Sequence, residues 1–456
     1  NMAEKQPDQQ TLSRGLKDRH VQLIALGGAI GTGLFLGSGK SIHVAGPSIL
    51  LAYLITGIMC FLLMRALGEL LLADLHYNSF VDAIRDYLGS RAAFITGWTY
   101  WLCWVAIAMA EITAIGMYVQ LWLPNCPQWV PGLITLAVLL CVNLITVGAF
   151  GEVESWFALI KIFAILLLIA IGVGMMLVRF KSPNGIVTSP SNLISHGGFF
   201  ATGLDGFLKS FQMVIFSFAG IEMVGMTAAE TANPRKVIPK AINDIPVRIL
   251  LFYIGALFVI MSIYPWNRLD PNSSPFVMVF KDIGISSAAS IINFVVLTAA
   301  ASSCNSALYT TGRMLAELTS TSRRPSIRKI SRISKNSVPA TAIVISALLM
   351  GMSSLLNYLI PSEVFTLVSS VATTSFLFIW GTIVLAHLRY RKLHPEGSGF
   401  KMPGTPVTDW MVLIFLFAVG VILMFSADTR IALIIAVVWL AFMTVLSMTF
   451  KEYKYN

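Results

Sequence analysis

Residues 27–41 read GGAIGTGLFLGSGKS, six glycines in fifteen positions, ending on Gly39, Lys40 and Ser41. The ending imitates a phosphate-binding loop. The nucleotide motif G-x-x-x-x-G-K-[ST] requires a glycine five residues before Gly39, and position 34 is Leu34. The flanks disagree as well. A phosphate loop follows a short strand and opens a soluble helix. Here VQLIAL precedes the stretch, and SILLAYLITGIMCFLLM follows Gly46 and Pro47. The glycines need another purpose.

Composition supplies the setting. Of 456 residues, 56% are hydrophobic and 12% charged, against about 25% charged in soluble domains. Many stretches approach the ~20 apolar residues that a helix needs to cross a bilayer. The chain reads as an all-α integral membrane protein with twelve transmembrane helices. They are expected near 20–43, 48–73, 92–123, 130–149, 154–178, 208–229, 246–265, 288–316, 337–357, 363–388, 408–426 and 431–450. The first contains glycines and is read as a span, not as a removable signal.

Basic residues set the expected orientation. With the amino terminus inside, seven of the 32 Lys and Arg fall outside: Lys40, Arg179, Lys181, Lys209, Arg268, Lys281 and Arg430. Lys161 sits inside a span, and the remaining 24 fall on the cytoplasmic side. Both tails, 1–19 and 451–456, are then cytoplasmic. The net charge of +10 suits an anionic inner leaflet. The run SRRPSIRKISRISK (322–335) has no interleaved aromatics, so it reads as membrane-edge charge and not as a nucleic-acid site. The five cysteines form no CxxC pair, and no disulfide frame, metal or cofactor set is indicated.

Unpaired backbone survives at bilayer depth only where it lines a cavity. Gly27, Gly28, Gly31 and Gly33 lie about a third of the way along the first span. Glycine tolerates unwinding and lets a ligand approach the main chain. It also lets helices touch, so this stretch alone leaves packing and unwinding equally open. Span 6 repeats the signal: IFSFAGIEMVG (215–225) carries Ala219-Gly220 and then Glu222 at membrane depth. Spans 1 and 6 open successive groups of five. Interrupted helices at matching positions point to a transporter of inverted repeats, with its site at the midplane. The halves are expected at 20–178 and 208–388, joined by an extracellular loop at 179–207, with helices 11 and 12 at 408–450.

Such a site binds zwitterions with its main chain. The N–H groups that open a second half-helix suit a carboxylate, and the carbonyls that end a first half-helix suit an ammonium. Thr32 and Gly33 supply the former; carbonyls near Phe216, Ser217 and Ala219 supply the latter. Phe216 and Phe218 are expected to cap the pocket.

Intramembrane charges are functional candidates by default. Lys161 has no carboxylate close to it in sequence, and it either couples a proton or snorkels to the inner edge. Glu222 follows the span 6 break, where it gates with a proton or makes a fixed pair. Glu111 in span 3 lines the pocket or anchors a neighbouring helix. Glu230 is assigned to the basic loop after it, and Arg65–Glu69 and Arg313–Glu317 are spaced as i,i+4 pairs.

The segments GGAIGTGLFLGSG, RALGEL, FITGWTYWLCW, FGEVESWFALIKI, FSFAGIEMVG with TAAET, and LTAAASSCNSALYTTGRML resemble the amino acid–polyamine–organocation superfamily, and within it the bacterial amino-acid permeases. The likeness runs from about residue 12 to 450. GGAIGTGLFLGSGKSI, GWTYWLCWV, AINDIPVRI and SSPFVMVF resemble the branch that carries D-serine, D-alanine and glycine. The resemblance implies five-plus-five inverted topology with discontinuous helices 1 and 6 and two extra helices, alternating access, and proton symport of an amino acid in the cell membrane. It puts the substrate carboxylate at Gly31, Thr32 and Gly33, and the ammonium at carbonyls of Ala29 or Ile30 and of Phe216, Ser217 and Ala219. It also puts the Lys161 ammonium near the carbonyls of Gly27 and Ile30 and the hydroxyls of Ser302 and Ser303, and gives Glu222 a part in proton sensing.

Exchange, or transport of a larger neutral or L-amino acid, remains open within the class. An enzyme is not indicated, since HExxH, GxSxG and a membrane-embedded pair of aspartates are all missing, and only His387 among six histidines lies near a span. Neither a filter loop nor a polar stripe suggests a channel.

Overall fold

The structure, a computed structural model, describes residues 15–227, 230–271, 273–282, 284–361 and 364–449, the side chains of 24–29 and 449 excepted. Among those residues nine helices are long and apolar enough to cross a membrane, and two further apolar helices are shorter. The first crossing comes in three pieces, α1 (Asp18–Ala29), α2 (Thr32–Phe35) and α3 (Gly37–Ala45). The second is α4 (Ile49–Ala73). A short helix, α5 (Phe80–Leu88), leads into the third, α6 (Ser90–Val119). The fourth and fifth are α7 (Trp129–Ile145) and α8 (Val147–Leu177).

The sixth crossing is again interrupted, as α9 (Gly203–Lys209), α10 (Phe211–Phe218) and α11 (Val224–Thr227). The seventh joins α12 (Pro234–Asn243), α13 (Ile245–Arg248), a π-helical stretch at Ile249–Gly255 and α14 (Ala256–Ile263). The short α15 (Pro275–Asp282) precedes the eighth, α16 (Ser286–Ser320), and α17 (Pro325–Arg328) lies in the basic loop. The ninth is α18 (Ala340–Gly351) with α19 (Ser353–Leu359). The tenth, eleventh and twelfth are α20 (Val364–Leu393), α21 (Val407–Leu423) and α22 (Ala427–Thr449).

Packing repeats in inverted order. α6 lies against α16; α6 against α20 is matched by α16 against α8, and α1 against α8 by α10 against α20. The pair α6–α7 has its counterpart in α16–α18, and α5–α6 in α15–α16. This is the five-plus-five inverted-repeat fold, with α21 and α22 added beside α20. Burial follows: 78% of the most apolar window of α6 is inside the protein but only 22% of that of α22. Exposed Phe163, Leu177, Ile414 and Phe417 sit on the outer crossings, where lipid is as apolar as they are.

Two sequence readings need correction. α8 begins at Val147, seven residues before the expected edge, because Thr146 Oγ1 caps it by accepting the Ala149 N–H at 3.0 Å. The charge pairs also differ. Glu230 accepts from Arg313 Nε at 2.8 Å and from Tyr309 Oη at 2.9 Å, so its partner lies on α16 and not in the following loop. Glu317 accepts from Ser79 Oγ at 2.5 Å. Glu69 takes Arg391 Nη1 at 2.9 Å and the Met402 N–H at 2.7 Å, while Arg65 reaches Asn243 and the Lys401 carbonyl. Sequence spacing offered i,i+4 partners; the fold brought nearer ones from other crossings.

Beside Glu230 the chain forms a latch. The Leu16 N–H donates to the Glu230 carbonyl at 3.1 Å, and the Ala232 N–H to the Leu16 carbonyl at 3.2 Å, a short parallel bridge between the segments before α1 and after α11. Leu16, Val21, Phe150, Met223, Val237 and Tyr309 form a separate buried apolar cluster around it.

Candidate functional site

Both breaks face one another at the centre. In the first crossing Ile30 and Gly31 leave the helix, and Gly31 is extended, with φ −142° and ψ −154°. A Cβ on Gly33 would stand 2.7 Å from Ser217 Cα and 2.9 Å from its N. The two main chains therefore touch, and only glycine fits. In the sixth crossing Ala219 is extended and Gly220 takes φ +98°, a left-handed conformation that breaks the helix before Ile221–Met223.

Between the breaks lies a small, nearly filled cavity. Gly31, Thr32, Gly33, Phe216, Ser217, Ala219, Glu111 and Ser303 line it, joined by Trp104 and Ile107. Thr32, Trp104, Ile107, Glu111, Phe216, Ser217 and Ser303 are each at most 5% exposed. Trp104, Ile107 and Glu111 fall at i, i+3 and i+7 on α6, one helical face. That spacing was readable, but nothing in the sequence said which face of α6 looks inward.

Several groups are engaged differently from the sequence reading. The Thr32 hydroxyl donates to Glu111 Oε2, so Glu111 both lines the pocket and ties α6 to the first crossing. The Ile30 carbonyl accepts from Lys161 Nζ at 2.8 Å. The Phe216 carbonyl accepts the Ala219 N–H at 3.1 Å, and that of Ser217 accepts from Tyr253 Oη at 2.9 Å. Tyr53 Oη meets Ser217 Oγ at 2.9 Å. Phe218 does not cap the cavity: it stacks on Tyr253, with ring centroids 5.0 Å apart. The expectations for Gly27 and Ala29 concern residues whose surroundings lie outside the described ones.

Lys161 does not snorkel. It is 1% exposed, with Nζ also donating to Ser302 Oγ at 2.9 Å. Nor does it lack a carboxylate, since Ser302 Oγ donates to Glu154 Oε1 at 2.6 Å. Glu154 lies two turns earlier on the same helix; the expected edge at 154 hid it. Ser303, one residue on, faces Gly31 instead, its Oγ 2.4 Å from where a Cβ would stand. Glu222 lies behind the break and away from the cavity, its Oε2 accepting from Trp380 Nε1 at 3.0 Å and its Oε1 unpartnered among the described residues.

A bundle with two opposed main-chain breaks, a buried ammonium at one of them and a small cavity between is the machinery of a carrier. The chain belongs to the amino acid permease family, whose pattern it matches over residues 20–454. It is 58% identical to amino-acid permease AapA of Bacillus subtilis strain 168, over 96% of this chain and 95% of that protein. An uncharacterized transporter of the same organism, YdgF, is also 58% identical, over 96% of each chain. The D-serine/D-alanine/glycine transporter of Escherichia coli K12 is 47% identical, over 95% and 93%. The protein is an amino-acid transporter of the membrane and not an enzyme.

Proposed function

We propose that the protein imports small neutral amino acids by proton symport, with D-alanine, D-serine and glycine as its substrates and both termini in the cytoplasm. The observation that carries the coupling is Lys161. A cationic side chain, buried within the bundle, bridges the carbonyl at the first break to α16. Gain or loss of its proton changes how firmly the two parts are tied, because charge-assisted hydrogen bonds are roughly twice as strong as neutral ones.

Glu111 supports the same reading. A substrate carboxylate at Thr32 would lie beside Glu111, and two carboxylates sharing one site do not both stay ionised. Substrate then enters together with a proton on Glu111. Trp104, Ile107 and Phe216 leave little room beyond a methyl or hydroxymethyl group. Glu222 serves as a second proton site behind the sixth-crossing break. The substrate set draws on the 47%-identical relative named for it. Side-chain size alone shifts selectivity by ~1–3 kcal/mol per methylene, so a larger or L-amino acid is the competing substrate.

Uptake of labelled D-alanine into proteoliposomes tests the proposal, with glycine, D-serine, L-alanine and L-phenylalanine as competitors. Inward proton gradient should drive accumulation that glycine and D-serine block. Uptake indifferent to the gradient would mean exchange, and an inactive D-alanine beside another active amino acid would discard the substrate set. Thr32→Val removes the hydroxyl at constant volume. Loss of a hydrogen bond to a charged group is worth about 1.5–3 kcal/mol, so binding of every substrate should weaken by roughly 10- to 100-fold. A loss confined to one amino acid, read in competition assays, would contradict a carboxylate contact.

A further inference from the structure

Glu154 is wholly buried, two turns before Lys161 on α8. Its Oε1 accepts the Ser302 hydroxyl at 2.6 Å, while Ser302 Oγ itself accepts from Lys161 Nζ at 2.9 Å. One hydroxyl thus stands between a buried ammonium and a buried carboxylate, receiving from one and giving to the other. Oε2 is held by Asn305 Nδ2 at 3.2 Å, and Asn305 Oδ1 in turn by Asn143 Nδ2 at 2.8 Å. The carboxylate is fixed from a third helix, α7. Seven residues of α-helix separate Glu154 from Lys161, about 10 Å along the axis. Glu154 is the nearer of the two to the start of α8, the end at which Arg19 and the latch lie.

We infer that Glu154 is the proton acceptor of Lys161, reached through the Ser302 hydroxyl, and that the coupling proton moves by this step toward the latch side. The inference rests on the symport reading above. In the step an N–H bond of the Lys161 ammonium breaks as an O–H bond forms at Ser302. The original Ser302 O–H bond breaks as one forms at Glu154 Oε1. A neutral amine, a regenerated hydroxyl and a neutral carboxylic acid result, with no other reactant and no change in the charge of the pair. Both buried charges disappear together, which removes their desolvation penalty. The amine then holds the Ile30 carbonyl less firmly, and the end of α1 is released.

Most other charged or titratable groups on the packed elements have partners of their own, while Asp18 of α1 is exposed and Cys304 of α16 is a buried thiol. On α1, Arg19 and His20 meet Glu152. On α16, Arg313 and Tyr309 are held by Glu230. Glu111 of α6 is held by Thr32, and Tyr253 by the Ser217 carbonyl. α7 and α14 bring no charged residue to this face.

The test uses the full chain in proteoliposomes, with Glu154→Gln, Glu154→Asp, Ser302→Ala and Lys161→Ala beside the wild type. Two rates are read for the amino acid the wild type accumulates best: gradient-driven accumulation, and gradient-free counterflow at equal pH on both sides, as that pH is varied. For Glu154→Gln, accumulation should fall about tenfold relative to counterflow, and counterflow should lose its dependence on pH. Glu154→Asp should restore part of both, and Ser302→Ala should lower accumulation as Glu154→Gln does.

Wild-type accumulation by Glu154→Gln or Ser302→Ala, with Lys161→Ala inactive, would overturn the relay and leave symport standing. Wild-type accumulation by Lys161→Ala would overturn the symport reading itself. Equal loss of accumulation and counterflow in a monodisperse Glu154→Gln protein would assign Glu154 a structural role and overturn the inference. Should Glu154→Gln not fold, Ser302→Ala and Glu154→Asp decide by the same ratio.

Discussion

Lys161→Ala should lose uphill transport altogether. One proton moving down a single pH unit supplies about 1.4 kcal/mol, a tenfold concentration ratio. Each 100 mV adds about 2.3 kcal/mol, roughly fiftyfold more. Without an ammonium between the Ile30 carbonyl and Ser302, the end of α1 is no longer tied to α16 by a group that gains and loses a proton, so a proton taken up on Glu111 with the substrate has no tie to release. The accumulation ratio should fall to one at any gradient, measured as labelled amino acid inside against outside. The variant should also be less stable. It leaves Glu154 a buried, uncompensated acid, and removing one partner of such a pair costs about 3–5 kcal/mol. Adding Glu154→Gln should recover part of that loss in thermal melting without recovering accumulation. Accumulation at the wild-type level would remove Lys161 from the coupling.

Gly33→Ala should be nearly as severe, for a different reason. The added methyl meets Ser217 Cα at 2.7 Å, Ser217 N at 2.9 Å and Phe216 Cδ1 at 3.0 Å, and two of those three are main-chain atoms that cannot swing aside. Overpacking costs about 1–3 kcal/mol even where side chains can adjust. Near the upper end, about 3 kcal/mol, transport of every amino acid should fall on the order of a hundredfold.

Two other glycines provide the scale. A Cβ on Gly31 would meet Ser303 Oγ at 2.4 Å, but that hydroxyl can rotate, so Gly31→Ala should be milder. Gly174 has nothing within 4 Å of its added Cβ, and Gly174→Ala should transport like the wild type. Initial rates for the three variants, with melting temperatures beside them, check the ordering. Equal rates in Gly33→Ala and Gly174→Ala would show that the breaks do not need to touch.

The crossings and both interruptions were legible because hydropathy and glycine are local signals. Ala219-Gly220 announced the sixth-crossing break at the residue where it falls. The first break lies at Ile30 and Gly31, inside the glycine run, though the run alone did not say which glycine yields. Partners were less legible. Glu154 was hidden because GEVES looks polar enough to precede a helix, whereas Thr146 starts the helix earlier and puts Glu154 on the face of Lys161.

Ser302 and Ser303 were indistinguishable, since neighbouring helical residues point about 100° apart and the sequence does not fix which one faces α8. Tyr253 could not be read from a 3.6-residue period, because its own segment is π-helical. Glu230 and Arg313 are far apart in the chain, and no spacing rule reaches across two crossings.

The latch between Leu16 and Thr231 has a bearing on how the protein is made. A ribosome adding about 5–20 residues per second needs roughly 10–40 s to travel from one strand of that bridge to the other. During that interval the first five crossings are made while the segment that pairs with Leu16 has yet to be synthesised. α10, which supplies Phe216 and Ser217 to the cavity, and Thr231 leave the ribosome in close succession, so the second wall of the site and the far strand of its latch are completed together.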